Sequence, residues 1–163
     1  MAHDMKNDLA HKTAILGRHV PGFLGYSAIS YRETDRLLCR HLARELEKVR
    51  DRLADFIASG RAGEGLAEDL GALLQQTARV KAEVARGQLP AQAGPWLSSS
   101  DEERLVDFDF ALLDKIVALH TPLERMEAAA AVEEVERAAA LYRQGLLELE
   151  ALFRERGQVL SGA

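Results

Sequence analysis

Apolar side chains recur at alternating steps of four and three residues along most of the chain, which is typical of amphipathic helices that pack together. The first strong example follows Ser30, and Glu33 three residues later predicts a capping box at the helix start. Gly60 and Gly63 are expected to end this helix. We call the stripe of packed positions on a helix its seam; here it holds Leu38, Leu42, Leu46, Val49, Leu53 and Phe56.

A clear break separates the next two predicted helices. The helix before it runs from about Glu64 to Arg86, and residues 87–96 then hold two glycines, two prolines and Trp96. Ser100 and Glu103 predict a capping box at the start of the following helix. The two seams comprise Leu66, Leu70, Leu73, Thr77, Val80 and Val84, and then Leu105, Phe108, Leu112, Ile116 and Leu119.

The last predicted helix begins at Pro122. Thr121 and Glu124 flank this proline in the order of a cap, a first-turn proline and a capping glutamate. The helix is expected to reach about Arg156 and to end at Gly157. A single helix kinked at Pro122 would fit the same residues. The seam comprises Ala128, Val132, Val135, Ala139, Tyr142, Leu146, Leu149 and Phe153.

These patterns predict an all-α fold, an antiparallel up-down bundle of three to four long amphipathic helices with a short N-terminal segment. Residues 1–25 form that segment: one short amphipathic helix and a connector rich in proline and glycine. Residues 26–157 form the bundle, and residues 158–163 form a C-terminal tail. The apolar positions of the N-terminal helix are Met5, Leu9, Ile15 and Leu16.

Composition narrows the possible functions. The 163 residues are 47% hydrophobic but only 6% aromatic, and the formal net charge of −5 argues against general nucleic-acid binding. Cys39, the only cysteine, cannot form an internal disulfide. Arg36 and Arg40 could lower the pKa of its thiol, but it lies next to the seam residue Leu38 and no paired histidine motif is present, so a buried or half-buried structural cysteine is expected. The start of the chain has no signal-peptide pattern and no apolar run approaches about 20 residues, so a cytoplasmic protein is expected. No catalytic or cofactor-binding motif is present, so we predict neither a cofactor nor a small-molecule substrate.

Basic residues occupy every fourth position of the first long helix. A ridge of this kind could bind an acidic partner or an anionic lipid surface, whereas neighbouring Asp and Glu residues would make it an ordinary solvated face. The residues concerned are Arg32, Arg36, Arg40, Arg44, Lys48 and Arg52.

Three aromatic residues, Phe23, Tyr26 and Tyr31, cluster immediately before the same helix. They could form a hydrophobic staple that fixes the entry of the N-terminal segment, or a docking surface for another subunit. We therefore take these aromatics with Arg32, Arg36, Arg40 and Arg44 as candidate interaction residues.

Two His-x-x-x-Glu pairs are weak candidates for metal ligands, His41 with Glu45 and His120 with Glu124, because residues four apart share a helix face. The Glu-x-x-His pattern of di-iron bundles is absent. No metal site is therefore assigned.

The segment Pro21-Gly22-Phe23-Leu24-Gly25-Tyr26, followed by residues 32–38 (Arg-Glu-Thr-Asp-Arg-Leu-Leu), resembles an uncharacterised group of bacterial helical proteins. Residues 107–113 (Asp-Phe-Asp-Phe-Ala-Leu-Leu) are similar to that group as well. The resemblance implies bacterial origin and a helical fold, and it implies no activity.

The preferred functional prediction is a non-enzymatic interaction or assembly protein, a scaffold or adaptor that self-associates through its long helices. Its partners would be further copies of itself and, in the adaptor case, another protein. The first alternative is a peripheral protein of the membrane surface, which would use the N-terminal amphipathic segment and the basic row. The second alternative is a metal-binding four-helix bundle that uses the two His/Glu pairs.

Overall fold

The computed structural model describes residues 2–27, 29–89 and 97–161, with side chains of the first helix described from Asp8 onward. Residues 90–96, including Trp96, and the side chain of Met5 lie outside this description. The described residues form six helices and no strand: α1 (Ala2–His19), α2 (Tyr31–Ala58), α3 (Glu64–Ala85), α4 (Ser99–Ala118), α5 (His120–Ala128) and α6 (Val132–Leu160). The prediction of an all-α protein is confirmed.

The seams predicted for α2 and α3 are confirmed in full. All six positions of each seam are buried, and the two helices pack extensively against one another. The one polar member, Thr77, is satisfied inside the core because its hydroxyl is 2.8 Å from the Leu73 carbonyl oxygen and 2.6 Å from the Tyr142 hydroxyl. Burying a polar group in this way costs little folding free energy, since each group keeps a hydrogen-bond partner.

Two predicted helix starts use different caps. Ser30 precedes α2, but its hydroxyl donates to the Gly25 carbonyl at 3.0 Å and makes no bond to the helix N–H groups. Glu33 pairs with Arg36 instead of returning to Ser30, so the capping box is not formed. At α4 the cap is Ser98, whose Oγ accepts from the Asp101 N–H at 3.1 Å. The predicted cap at Ser100 therefore lies two residues too late.

The predicted last helix is divided. α4 and α5 are separated by Leu119 alone, so Pro122 lies in the first turn of α5, where its missing N–H costs no helix bond. A second break at residues 129–131 then separates α5 from α6, and Ala129 and Ala131 both have extended backbone. This break is not predicted from the sequence, because three successive alanines favour helix. Tertiary packing overrides that preference, since the break allows α5 to pack on α6.

The end of α6 was also predicted wrongly. The helix continues through Gly157 to Leu160, and Val159 and Leu160 are buried, so residues 158–160 of the predicted tail belong to the helix and contribute to the core. Gly157 has a packing role, because a Cβ atom there would lie 2.9 Å from Gln88 Nε2.

The helices surround one core. α2 contacts α3, α4 and α5, and α6 contacts the same three helices, but the described residues of α2 and α6 make no direct backbone contact. These two long helices therefore face each other across the core. α1 packs against α4. None of the helices in the described ranges combines the length and the hydrophobicity required to cross a membrane.

Candidate functional site

A buried polar network lies at one end of the core, centred on Arg156 of α6. This arginine has no exposed side-chain surface and lies between two buried carboxylates. Its Nη1 is 2.7 Å from Oδ1 of Asp35 on α2, and its Nε donates to Oδ1 of Asp109 on α4 at 2.8 Å. One cation thus connects the two helices α2 and α6 that face each other across the core.

Two uncharged side chains complete this Arg156 network. Arg156 donates to the Tyr26 hydroxyl through Nη2 and to Gln88 Oε1 through Nη1, both at 2.8 Å. The Tyr26 hydroxyl in turn donates to Oδ2 of Asp109, and Gln88 donates to the Phe153 carbonyl. Among the described residues, no buried side-chain nitrogen or oxygen lacks a hydrogen-bond partner.

The network fixes five segments of the chain at one place: the connector between α1 and α2, the residues after α3, and the helices α2, α4 and α6. Gly87 contributes by its backbone, with a φ of +75° that ends α3 and a position at which a Cβ atom would approach Asp35 Oδ2 to 3.3 Å. Because every member is satisfied, the network serves to specify one arrangement of these segments.

Burial dominates the electrostatics of the network. It raises the pKa of Asp109 to about 6, although Arg156 and the Tyr26 hydroxyl oppose this shift. It also raises the pKa of Tyr26 well above 10 and that of the Cys39 thiol to about 12. Cys39 is therefore a neutral, buried thiol at physiological pH, in agreement with the structural role expected from the sequence.

A groove of about 300 Å³ opens between the end of α1, the middle of α2 and the second half of α4. Its apolar wall consists of Phe110, Leu113 and Val117, all on α4. Val117 is 59% exposed, so the wall is open to solvent.

The polar wall of the groove consists of His19 on α1, His41 and Glu45 on α2, and Asp114 on α4. Glu45 forms an ion pair with Lys48 at 2.8 Å. The other three side chains form no hydrogen bond or ion pair with any residue that the structure describes. Partial burial lowers the pKa of His41, so its imidazole is neutral at pH 7.

The two His/Glu pairs do not meet. His41 and Glu45 line the groove, whereas His120 and Glu124 lie at α5 beside Arg52, whose Nη1 is 3.1 Å from His120 Nδ1 and 3.8 Å from Glu124 Oε1. An arginine in that position repels a metal cation. Within the described ranges, no group of three or more His, Cys, Asp or Glu side chains is placed to hold a metal ion.

The structure places the aromatic candidates Phe23, Tyr26 and Tyr31 in the core. The rings of Phe23 and Tyr26 pack edge to face with centroids 5.8 Å apart. The same connector instead exposes two residues that the sequence analysis did not select, Leu24 (73% exposed) and Ile29 (99% exposed).

The basic row is partly neutralised. Arg36 pairs with Glu33, and the Arg32 guanidinium lies 5.6 Å from the centroid of the Tyr31 ring. Arg40 and Arg44 are exposed and form no ion pair with the described residues. These two arginines are thus the members of the row that are available to a partner.

No protein-family model, no curated protein and no solved structure matches this chain. The site must therefore be interpreted from its own chemistry.

Proposed function

We propose that this protein is a non-enzymatic assembly protein that self-associates end to end. In this proposal the connector of one copy (residues 20–30) packs against the α5–α6 junction of the next copy (residues 124–141). The observation that carries the proposal is the exposure of Leu24 and Ile29, 73% and 99%, on a connector that buries Val20, Phe23 and Tyr26.

The connector is held in place, so its two exposed side chains are presented and do not fold inward. Val20 and Phe23 are buried, Tyr26 belongs to the Arg156 network, and the Ser30 hydroxyl donates to the Gly25 carbonyl at 3.0 Å. A binding element that is already ordered loses little conformational entropy on association.

The proposed counterpart lies at the other end of α6. The connector contacts Arg156, near the C-terminal end of this helix, whereas the α5–α6 junction is near its N-terminal end, about 30 Å away at 1.5 Å per residue. A cleft of about 320 Å³ there is lined by Ala128, Ala138 and Leu141 together with the charged residues Arg125, Glu134 and Arg137. Leu141 is 48% exposed, so it and the two alanines offer an apolar contact for Leu24 or Ile29.

Charge supports the same pairing. Residues 124–141 contain five glutamates and two arginines, while α2, which follows the connector, carries the exposed Arg40 and Arg44 that form no ion pair with the described residues. Opposite charges beside an apolar contact favour one orientation of the two copies. Because the two surfaces differ and lie at opposite ends, repeated pairing would produce a ring or a filament.

The test is the double substitution of Leu24 and Ile29 by serine (L24S/I29S). The expected result is an association constant at least tenfold lower, since burying an exposed leucine or isoleucine side chain contributes about 1.5–3 kcal/mol and a tenfold change corresponds to about 1.4 kcal/mol. Sedimentation velocity over a concentration series measures this, and circular dichroism verifies that the helices remain.

The matched control is L147S, which changes a leucine that is 49% exposed on α6 but belongs to neither surface. It should associate like the unmodified protein. Equal association constants for L24S/I29S and the unmodified protein would contradict the proposal.

The exposed Leu24 and Ile29 also favour the membrane-surface alternative, because apolar side chains beside arginines can enter an anionic lipid interface. Co-sedimentation with anionic vesicles that is lost in L24S/I29S would support this second function. Absence of co-sedimentation at low salt would exclude it.

The finer sequence predictions remain part of the proposal. These are the antiparallel up-down bundle of three to four long helices, cytoplasmic location and bacterial origin. The resemblance to helical bacterial proteins supports the last of these.

A further inference from the structure

We infer that the groove between α1, α2 and α4 is a binding site for a small organic ammonium ion that carries a short hydrocarbon chain. This site is separate from the end-to-end surfaces, so either proposal can fail without the other. The volume is adequate, because the groove measures about 300 Å³ and a cavity of about 150 Å³ accepts benzene.

Three of the four polar side chains of the groove have no partner among the described residues. His19, His41 and Asp114 form no hydrogen bond or ion pair with any described residue, although all three line one groove. By contrast, Asp107 on the same helix as Asp114 pairs with Lys12 at 2.8 Å. Convergent polar groups in an apolar groove are the usual features of a ligand site.

The side chains that line the groove have the chemistry to bind a cation. Asp114 supplies an unpaired negative charge, and the neutral imidazole of His41 can accept a hydrogen bond from an N–H donor. The ring of Phe110 can receive a cation on its face. Leu113 and Val117 offer apolar surface to a hydrocarbon chain. Together these features select a cation with an apolar body.

The surrounding charges also define what the groove rejects. A carboxylate ligand would meet Asp114 and Glu45, so an anion of the same size is disfavoured. Arg44 and Lys48 lie close enough to His41 to affect its pKa, and Lys48 already neutralises Glu45. Asp114 is therefore the charge on which recognition of the ammonium group depends.

The segments that form the walls are each held by the Arg156 network at another position. Tyr26 lies in the connector seven residues after His19, Asp35 lies on α2 six residues before His41, and Asp109 directly precedes Phe110 on α4. A groove that is already ordered loses little conformational entropy when a ligand binds.

The experiment is an NMR titration of the full chain with n-butylammonium chloride at constant ionic strength and pH 7.5, following the imidazole resonances. We expect saturable shifts of His19 and His41 with a dissociation constant on the order of 1 mM, the range suited to a ligand with five heavy atoms. His120, which lies beside Arg52, should not shift. Butyrate and butanol are the ligand controls and should bind at least tenfold more weakly.

Two variants assign the site. D114N should weaken butylammonium binding at least threefold, and D107N, a matched change on α4 outside the groove, should leave it unchanged. The inference is overturned if no saturable shift occurs up to about 100 mM, a limit that lies far above the expected millimolar range. It is equally overturned if butyrate binds as well as butylammonium, or if D114N binds like the unmodified protein.

Discussion

Replacing Arg156 by methionine is expected to lower the free energy of unfolding by about 3–5 kcal/mol at pH 7. The substitution keeps most of the apolar stem of the side chain but removes the cation that Asp35 and Asp109 share. Both carboxylates would then be buried without a countercharge, and the Tyr26 hydroxyl would lose a donor. The loss therefore reflects uncompensated polar groups more than lost packing.

Urea unfolding followed by circular dichroism measures this effect. The matched control is R154M, because Arg154 is an exposed arginine on the same helix and its replacement should change stability by no more than about 0.5 kcal/mol. Adding D35N and D109N to R156M should recover part of the loss, since the buried negative charges are then removed as well. A loss below about 1 kcal/mol for R156M would contradict the central role of the network.

The second large effect is the pH dependence that Asp109 contributes. Burial raises its pKa to about 6 from an ordinary value of 3.8, so the folded protein holds this proton more tightly than the unfolded chain does. The resulting stabilisation is complete below about pH 3.8 and is lost as the pH rises through 6. This pKa shift corresponds to a contribution of at most about 3 kcal/mol to the free energy of unfolding.

The measurement compares the unmodified protein with D109N, which cannot titrate at this position. Between about pH 4 and pH 7 the unmodified protein should lose about 2–3 kcal/mol of stability relative to D109N. Other ionisable groups cancel in this difference to first order. A difference that stays constant with pH, or one that grows in favour of the unmodified protein, would show that Asp109 is ionised throughout.

The sequence predictions agree best with the structure where a single pattern of apolar residues decides which helix face is buried. The seams of α2 and α3 were predicted position by position, because burial of an apolar stripe decides which helix face turns inward. The break at Leu119 was predicted three residues later, at Pro122, and the break at residues 129–131 was not predicted, because tertiary packing decides both and no glycine marks them.

The Arg156 network was missed although the sequence contains a signal for it. Asp35, Asp109 and Arg156 each continue an apolar seam at steps of three or four, for example Leu105, Asp109 and Leu112 on α4. A charged residue on the packed face of a helix must find an opposite charge in the core. Considering all helices together would have indicated that one cation and two anions share a site.

The candidate surfaces depend on how the helices and the connector pack, which the spacing of residues along the sequence does not reveal. His41 and Glu45 were selected as a pair, but their groove also requires His19 and residues of α4, which only the packing of α1 brings together. Similarly, the connector was identified as a candidate contact, but whether Phe23 or Leu24 points outward depends on how its turns pack.

The solution mass of the unmodified protein, measured by light scattering coupled to size exclusion over a range of concentrations, tests the proposed end-to-end assembly most directly. The account predicts a mass that exceeds the monomer value of 18.0 kDa and increases with concentration, and that decreases at high salt as the charge pairing is screened. A constant mass of 18.0 kDa at the highest concentration would contradict it.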